Sequence, residues 1–247
     1  MRKPAPGPAQ KLERKPATAG GRIGLARGQL VDAALELMHE AGLDALSTRR
    51  LAERLGVKSP ALYWHVRNKG ELLGLVADAI CAQMVLPATS LSFRVRLEKI
   101  AWEYRRVLVA HRDAPRLFAE QAPTGPHRMK LYDAAIGAFV DTGFAAQEAV
   151  AMATFYRNYL LGMIAEEARQ SRPAQPGALR PTLALGVELD HLGEESRHYP
   201  NLRGAAKLLA NIEPEELFRI GLKVLLDGTE CRASEIARSK KLPRQRK

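Results

Sequence analysis

The sequence of 247 residues lacks long apolar runs and contains only two cysteines. No stretch approaches the roughly 18 uninterrupted apolar residues of a membrane-spanning helix, so we do not expect an integral membrane protein. The N-terminal segment has no apolar core, which argues against a secretory signal. The cysteines, Cys81 and Cys231, form no motif spacing. We therefore predict a cytoplasmic protein with reduced thiols, and a single disulfide is the less favoured alternative.

Motifs of common enzyme classes are also missing. There is no glycine-rich phosphate loop and no GxSxG element, and the six histidines include no HExxH-type pair. His191 and His198 lie in a region flanked by Pro and Gly, where a metal site is a less favoured alternative. We therefore predict a protein that is not an enzyme and that needs no metal or cofactor.

Negative charge is scarce at both ends of the chain, whose formal net charge is +11. Residues 1–22 hold six Lys/Arg and one Glu, and residues 232–247 hold seven Lys/Arg and one Glu, which leaves 25 residues of each sign in 23–231. Segments rich in Pro, Gly, Lys and Arg are typical of disorder. We predict two disordered basic tails, 1–22 and 232–247, which either contact nucleic acid or only keep the protein soluble.

Nearly every segment from residue 25 onward shows the apolar period of a helix, about 3.6 residues, and no strand pattern or internal repeat is visible. The sequence therefore predicts an all-α fold. The predicted helices cover 27–41, 48–55, 59–65, 69–85, 93–108, 129–142, 146–170, 201–210 and 213–228. Between them, we expect a break over 113–126 and a loop with space for one short helix over 171–200.

A helix, a short turn and a second helix are predicted over 48–65. Ser47 or Thr48 can cap the first helix, and Gly56 suits the left-handed residue that ends it. Ser59 is a good N-cap for the second helix, with Pro60 at the first helical position. This is the spacing of a helix-turn-helix, whose second helix enters the major groove of DNA, although any tight pair of helices gives the same spacing.

Only 6% of the residues are aromatic, yet Tyr63, Trp64 and His65 stand side by side in the charged segment SPALYWHVRNKGELL. This segment is too short and too polar to form a core. Tyr63 and His65 can hydrogen-bond a phosphate or pack on a sugar. The unit is surrounded by the basic residues Arg50, Arg54, Lys58, Arg67 and Lys69. The pattern therefore indicates a surface that faces DNA.

The stretch LYWHVRNK resembles the TetR family of bacterial regulators, and its tetracycline-repressor branch in particular, with similarity from about Leu30 to Leu75. The resemblance implies a three-helix DNA-binding domain (23–70), joined by a fourth helix to an all-helical ligand-binding and dimerisation domain (71–231). It also implies DNA contacts from Thr48, Arg49, Ser59, Pro60, Ala61, Tyr63, Trp64, His65 and Lys69. Trp64 is expected to divide its surface between packing on the domain and facing the DNA backbone.

Two of these positions depart from the branch. Ser59 and Ala61 stand where the tetracycline repressors carry polar residues that read bases, so we expect a different operator sequence. The resemblance continues more weakly in FVDTGF, YLLGMIAEE, HYPNL and FRIGLKVLLDG. It implies a homodimer in which helices at about 146–170 and 213–229 pack against those of the partner. Two recognition helices about one DNA turn apart, roughly 34–36 Å, would then read a palindromic operator.

The function implied by the resemblance is a transcriptional repressor that a small apolar or amphipathic effector releases from DNA. In the tetracycline repressors a His and polar neighbours bind the drug with magnesium, but Phe118 stands near that position here, so we expect no such site. The predicted cavity is lined by some of Met84, Trp102, Tyr104, Phe118, Gln121, Met129, Phe139, Phe155, Asn158, Tyr159, Met163 and Glu166. Of these, Glu166 matches a ligand contact of the branch.

Two alternatives stay open at this stage. The rings and methionines of the predicted cavity can simply pack a core. In that case the protein would be a DNA-binding regulator without an effector, and its C-terminal domain would only dimerise or dock a protein partner. An activator is also possible, because repression or activation depends on where the operator lies relative to the promoter.

Overall fold

The computed structural model describes residues 27–171, 188–189, 191–209 and 212–241. These residues contain helices and turns but no strand, so the all-α prediction is confirmed. The α-helices are α1 (Arg27–Ala41), α2 (Thr48–Leu55), α3 (Ser59–Leu62), α4 (Lys69–Cys81), α5 (Phe93–Ala110), α6 (Ala114–Glu120), α7 (Pro126–Asp141), α8 (Ala146–Gln170), α9 (Pro200–Leu209) and α10 (Pro214–Lys241). Short 3₁₀ helices lie at Leu43–Ala45 and Gly193–His198.

Side-chain caps set the starts of two N-terminal helices. The Ser47 hydroxyl accepts a hydrogen bond from the Arg50 N–H at 3.2 Å and so caps α2, as predicted. The Asn68 side chain caps α4 in the same way, accepting from the Glu71 N–H at 2.9 Å. Gly56 ends α2 with a φ of 65°, a left-handed conformation that glycine adopts without a steric penalty. The turn between α2 and α3 is therefore encoded locally.

Some helix boundaries differ from the predictions. Ser59 is not the N-cap of α3, because its backbone is already helical and Lys58 takes the extended N-cap position. Residues 63–65 form a turn after α3, and α4 ends at Cys81 rather than near residue 85. The predicted break over 113–126 contains α6, which begins with Pro115 in its first turn. Proline there favours a helix start, since the missing N–H has no partner to lose.

The prediction of a disordered C-terminal tail is wrong for residues 232–241, since α10 continues through Gly228 to Lys241. The extension is held by tertiary contacts. Ala233 and Ile236 pack against the core, and Arg232 donates a hydrogen bond to Glu148 of α8 at 3.0 Å. Residues 242–247 and the predicted tail over 1–22 lie outside the described residues.

One continuous core runs from the N-terminal helices into the C-terminal part of the chain. Helix α4 contacts α1 on one side and α5, α6 and α7 on the other, so it belongs to both parts. Arg105 of α5 binds Glu167 of α8 at 2.7 Å and Glu215 of α10 at 3.1 Å, which joins these three helices. None of the helices that the structure describes is long and apolar enough to cross a membrane.

Candidate nucleic-acid interface and ligand cavities

Helices α2 and α3 contact each other, and Leu51 of α2 and Leu62 of α3 are fully buried in the core. Tyr63 and Trp64 follow α3 directly and are 56% and 90% exposed. Two adjacent exposed rings form an apolar patch, and such patches are typical of surfaces that face a partner. The expectation that Trp64 packs partly on its own domain is wrong, because the turn after α3 directs it into solvent.

The other predicted DNA contacts lie on the same unit with different exposure. Arg49, Pro60 and Lys69 are exposed, whereas Thr48, Ser59, Ala61 and His65 are half-buried. Thr48 and Arg49 lie at the N-terminus of α2, where the first N–H groups favour an anion. The structure thus brings the predicted residues together around α2, α3 and the start of α4.

The basic side chains around this unit differ in whether an ion pair already occupies them. Arg54 binds Glu40 at 2.6 Å and Glu36 at 3.0 Å, which ties α2 to α1. The hydrogen bond from Arg54 lowers the pKa of the Glu40 carboxyl. Arg49 pairs with Glu53 at 3.0 Å, but both side chains are exposed. Within the described residues, no carboxylate lies in ion-pair range of Arg50, Lys58, Arg67 or Lys69. These four cations can therefore meet phosphate without breaking a pair.

Asp78 connects the DNA-binding part of the chain to α7. This buried carboxylate on α4 accepts hydrogen bonds from the His127 and Arg128 N–H groups, both at 2.9 Å. The Nδ1 atom of His127 lies 3.0 Å from its second oxygen. Asp78 therefore caps the N-terminus of α7 from another helix. Gly125, with a φ of 96°, lets the backbone approach this carboxylate.

Arg128 is buried beside this connection. Its guanidinium donates to the Ala122 carbonyl at 2.7 Å and the Gln121 carbonyl at 3.0 Å. It also lies 4.9 Å from the centre of the Phe118 ring, a cation–π contact. Arg128 thus fixes the loop between α6 and α7.

Three openings in the described part of the chain are candidate ligand sites. A groove of about 860 Å³ lies between α1, α4 and the α6–α7 loop, and a groove of about 520 Å³ lies between α6 and α8. Both are in the size range of small-molecule sites. A cavity of about 30 Å³ lies between α5, α7 and α8. This cavity has room for water but not for an organic ligand in its present form.

The predicted cavity residues do not gather in one place. Tyr104 lines the small cavity, Asn158 lines the α6–α8 groove, and Gln121 lines the groove beside α4. Phe155 is 55% exposed and Met129 is 58% exposed, so these two positions contradict an internal cavity lining. Both side chains lie on helix faces that point away from the core.

The remaining predicted residues are occupied by packing or ion pairing. Phe118 and Phe139 are buried in ring contacts, and Trp102 lies against Phe218. Tyr159 lies against Gly221, and Glu166 binds Arg169. Met84 and Met163 pack against the core. For these residues, core packing, or ion pairing in the case of Glu166, accounts for the contacts that the structure shows.

The sequence analysis did not single out Asp78, Arg128 and Arg157, whose charged side chains are wholly or partly buried in the structure. Asp78 and Arg157 are charged residues among largely apolar neighbours, as in VADAIC and FYRNYLL, whereas Arg128 stands in the more polar stretch PHRMKL. That pattern was the available signal, since a charge on a buried face needs a partner.

Metal and thiol chemistry find no support in the described residues. These residues contain no group of three or more His, Cys, Asp or Glu side chains that could hold a metal ion. Cys81 is buried, and burial raises the pKa of its thiol to about 12, so it stays protonated at neutral pH. Cys231 is exposed and unpaired with Cys81.

Comparisons with known proteins agree with this architecture. The family of bacterial regulatory proteins called tetR matches residues 30–76, and the tetracyclin repressor-like C-terminal domain matches residues 86–233. The chain is 35% identical over 202 residues to the tetracycline repressor protein class A from transposon 1721 of Escherichia coli, covering 81% of this chain and 88% of that protein.

Solved structures show the same fold. ActR of Streptomyces coelicolor in complex with (S)-DNPA superposes with a TM-score of 0.73 at 25% identity, over 84% of this chain and 98% of that chain. BioQ with its double-stranded DNA operator superposes with a TM-score of 0.59 at 25% identity, over 83% and 98%. Because the matched domains cover both halves of the sequence, the chain belongs to the TetR family of DNA-binding transcriptional regulators.

Proposed function

We propose that the protein is a homodimeric repressor that binds a palindromic operator and is released from it by a small effector. The exposed pair Tyr63 and Trp64 carries this proposal, because on the helix-turn-helix it stands beside cations that pair with no carboxylate among the described residues. Residues 23–231 hold 25 basic and 25 acidic residues, so attraction to DNA from this part of the chain is local. We infer a regulator without catalytic activity that acts in the cytoplasm, where its DNA is.

Exposed apolar side chains on α8 and α10 support the homodimer. Val150 and Phe155 of α8 are 50% and 55% exposed, and Ile220 and Val224 of α10 are 47% and 66% exposed. A row of such residues on two long helices is a surface that a second copy can cover. A dimer would place two copies of α3 on one face of DNA, where each adds to the other's affinity.

Release by an effector would act through α4. This helix contacts α1 in the DNA-binding part and α6 and α7 in the other part, and Asp78 fixes it to the start of α7. A ligand that moves α6 or α7 would therefore move α4 and change the separation of the two recognition helices. By linkage, operator DNA would weaken effector binding by the same factor.

The ligand-independent regulator remains the second candidate, and the small size of the cavity between α5, α7 and α8 favours it. A cavity of about 30 Å³ must widen before it can admit an organic molecule. The α6–α8 groove of about 520 Å³ needs no such change, which is why we prefer an effector.

The proposal is tested by binding the full chain to its own upstream DNA, measured by fluorescence anisotropy with random DNA as competitor. We expect Tyr63→Ala to weaken specific binding by about tenfold or more, because it removes a contact to the duplex. Tyr199→Ala is the matched control, since Tyr199 is 48% exposed but lies outside α1–α4. Equal affinity of Tyr63→Ala and wild type, with both dimeric by sedimentation, would contradict the assignment.

A further inference from the structure

The turn over residues 63–68, which we call the recognition turn, joins α3 to α4 and contains the two exposed rings. Leu62 before the rings and Val66 after them are both buried. The Leu62 carbonyl accepts hydrogen bonds from the His65 N–H at 2.9 Å and from the Val66 N–H at 3.0 Å. The rings therefore stand on a short stretch of backbone whose path depends on how its two ends are held.

Glu71 of α4 holds the second end of the recognition turn. Its Oε2 atom accepts a hydrogen bond from the Arg67 N–H at 2.7 Å, and its own N–H donates to the Asn68 side chain at 2.9 Å. Asn68 is the N-cap of α4 and Glu71 is the third helical residue, so the two form a reciprocal cap. In the usual capping box the glutamate returns to the N-cap residue itself. Glu71 reaches one residue further back and so fixes backbone that belongs to the turn.

The Glu71 carboxylate makes this contact without occupying a basic side chain. Arg67 and Lys69 are its neighbours in sequence, yet within the part of the chain that the structure describes no ion pair joins Glu71 to either of them. The negative charge strengthens a hydrogen bond from the backbone instead. Both basic side chains therefore stay available to phosphate.

A carboxylate beside a surface that faces DNA should by itself weaken binding. It repels phosphate, and this loss is shared by every DNA sequence, since phosphates carry no sequence information. If charge were the whole effect of Glu71, its removal would strengthen binding to all DNA. If the hydrogen bond to the turn matters, removal of Glu71 would weaken binding to the operator in particular. The two explanations differ in sign.

We propose that Glu71 is a positioning residue for operator recognition, because its hydrogen bond to the Arg67 N–H fixes the recognition turn and with it the direction of Tyr63 and Trp64. A turn that is ordered before DNA binds loses less conformational entropy on binding and presents one set of contacts. The carboxylate acts through the backbone and needs no contact with DNA. This inference rests on the proposed function, since it takes the two rings to meet the operator.

Three substitutions separate the reach of the Glu71 side chain from its charge. Glu71→Gln keeps the reach and an acceptor oxygen but loses the charge. Glu71→Asp keeps the charge but is one methylene shorter, and Glu71→Ala loses both. The probe is a duplex that the wild-type full-length protein selects from a random-sequence library, and a scrambled duplex of the same length is the reference. Fluorescence anisotropy at constant salt gives the ratio of the two affinities for each variant.

We expect Glu71→Gln to retain the ratio of selected to scrambled affinity, and Glu71→Asp and Glu71→Ala to lower it by about fivefold or more, because each subunit loses one hydrogen bond. Binding of Glu71→Ala to the scrambled duplex should not fall, since a carboxylate has been removed. Asp32→Ala is the control: it removes an exposed carboxylate that makes no hydrogen bond with the described residues, and it should leave the ratio unchanged.

A loss of stability alone would not give this pattern, because a variant that merely unfolds more readily binds both duplexes less, in the same proportion. Hydrogen exchange without DNA is the second readout. Residues 63–68 should exchange faster in Glu71→Asp and Glu71→Ala than in the wild type and Glu71→Gln. Should Glu71→Ala fail to fold, Glu71→Asp decides. A wild-type ratio in Glu71→Asp and Glu71→Ala, or a ratio that falls equally in Glu71→Gln, would overturn the proposal.

Failure of this inference is distinguishable from failure of the proposed function. If the library yields no enriched duplex, operator recognition itself is overturned, and the role of Glu71 is overturned with it. If a duplex is enriched but all three variants prefer it as strongly as the wild type does, the protein still reads an operator and Glu71 has no part in that reading.

Discussion

Asp78 is a single carboxylate that caps a helix from a neighbouring helix. Its Oδ1 atom accepts from the backbone N–H groups of both His127 and Arg128, its Oδ2 atom lies 3.0 Å from Nδ1 of His127, and the side chain is buried. A carboxylate in this position both satisfies the first N–H groups of α7 and complements the positive end of its dipole. Because Asp78 belongs to α4, the hydrogen bonds that cap α7 also hold α4 and α7 together.

We predict that Asp78→Asn lowers the free energy of unfolding by about 1–3 kcal/mol, because the amide keeps the shape but loses the charge and turns one acceptor into a donor. Urea unfolding at matched protein concentration measures this, since a dimer makes the midpoint depend on concentration. Asp32→Asn is the control: Asp32 is exposed on α1 and makes no hydrogen bond with the described residues. A loss for Asp78→Asn no larger than for Asp32→Asn would mean that the cap contributes little.

At the scale of elements, α8 and α10 touch where Gly221 faces Tyr159. A Cβ added at Gly221 would overlap the Tyr159 hydroxyl and lie 2.8 Å from the ring carbon that bears it. Glycine at this position lets the two helices approach, and α10 would move outward with any larger residue. The contact therefore sets the separation of the two helices that we propose to form the dimer surface.

We predict that Gly221→Ala destabilises the protein by about 1–3 kcal/mol through overpacking, despite the better helix propensity of alanine. Gly228→Ala lies on the same helix in open space and should instead stabilise it by up to about 1 kcal/mol. Thermal unfolding of the two variants compares them directly. Adding Tyr159→Phe should recover part of the loss in Gly221→Ala; no recovery would place the strain elsewhere.

Most helices could be predicted because their signals are local. The apolar period, the Ser47 cap and Gly56 decide α2 without information from the rest of the chain. Helix α6 lies inside the predicted break over 113–126, and Pro115 stands in its first turn, where a proline is tolerated. The C-terminal half of α10 was missed because its composition is that of a tail. Contacts with residues distant in sequence, such as that of Arg232 with Glu148, hold this part of α10 against the rest of the molecule.

The exposure of Tyr63 and Trp64 was easier to predict than the lining of a cavity, for a physical reason. Tyr63 and Trp64 sit among charged neighbours, so sequence alone excluded a core position. A cavity is defined by which faces of several helices meet, and that depends on contacts distant in sequence. Tyr104 and Phe155 both looked like lining residues, yet one is buried at the cavity and the other is exposed.

At the scale of the whole molecule, the charge is unevenly distributed along the chain. Residues 23–231 are neutral, and residues 1–22 carry six Lys/Arg against one Glu. Part of the C-terminal charge belongs to α10, since Arg232 and Arg238 lie on this helix and Arg232 is already paired with Glu148. Residues 1–22 therefore offer six basic side chains for contacts with phosphate, and residues 232–247 offer six besides Arg232.

We predict that deletion of residues 1–22 weakens binding to every DNA sequence and flattens the dependence of log affinity on log salt, since fewer counterions are released. Anisotropy titrations at several salt concentrations, with operator and random DNA, measure both effects. The ratio of operator to random affinity should stay the same, because base reading belongs to α3. A slope equal to that of the full chain would show that the segment does not touch DNA.

The two tryptophans lie in different halves of the molecule. Trp64 is 90% exposed beside α3, so its indole emits as in water and is open to dissolved quenchers. Trp102 on α5 lies 5.1 Å from the Phe218 ring centre and is covered by the Arg105 guanidinium at 5.6 Å. Intrinsic fluorescence can therefore report on each half separately, with shielding of Trp64 by DNA and spectral shifts of Trp102 when α5 and α10 rearrange. The chain thus contains its own pair of optical labels, and communication between its two halves can be followed without attaching a dye.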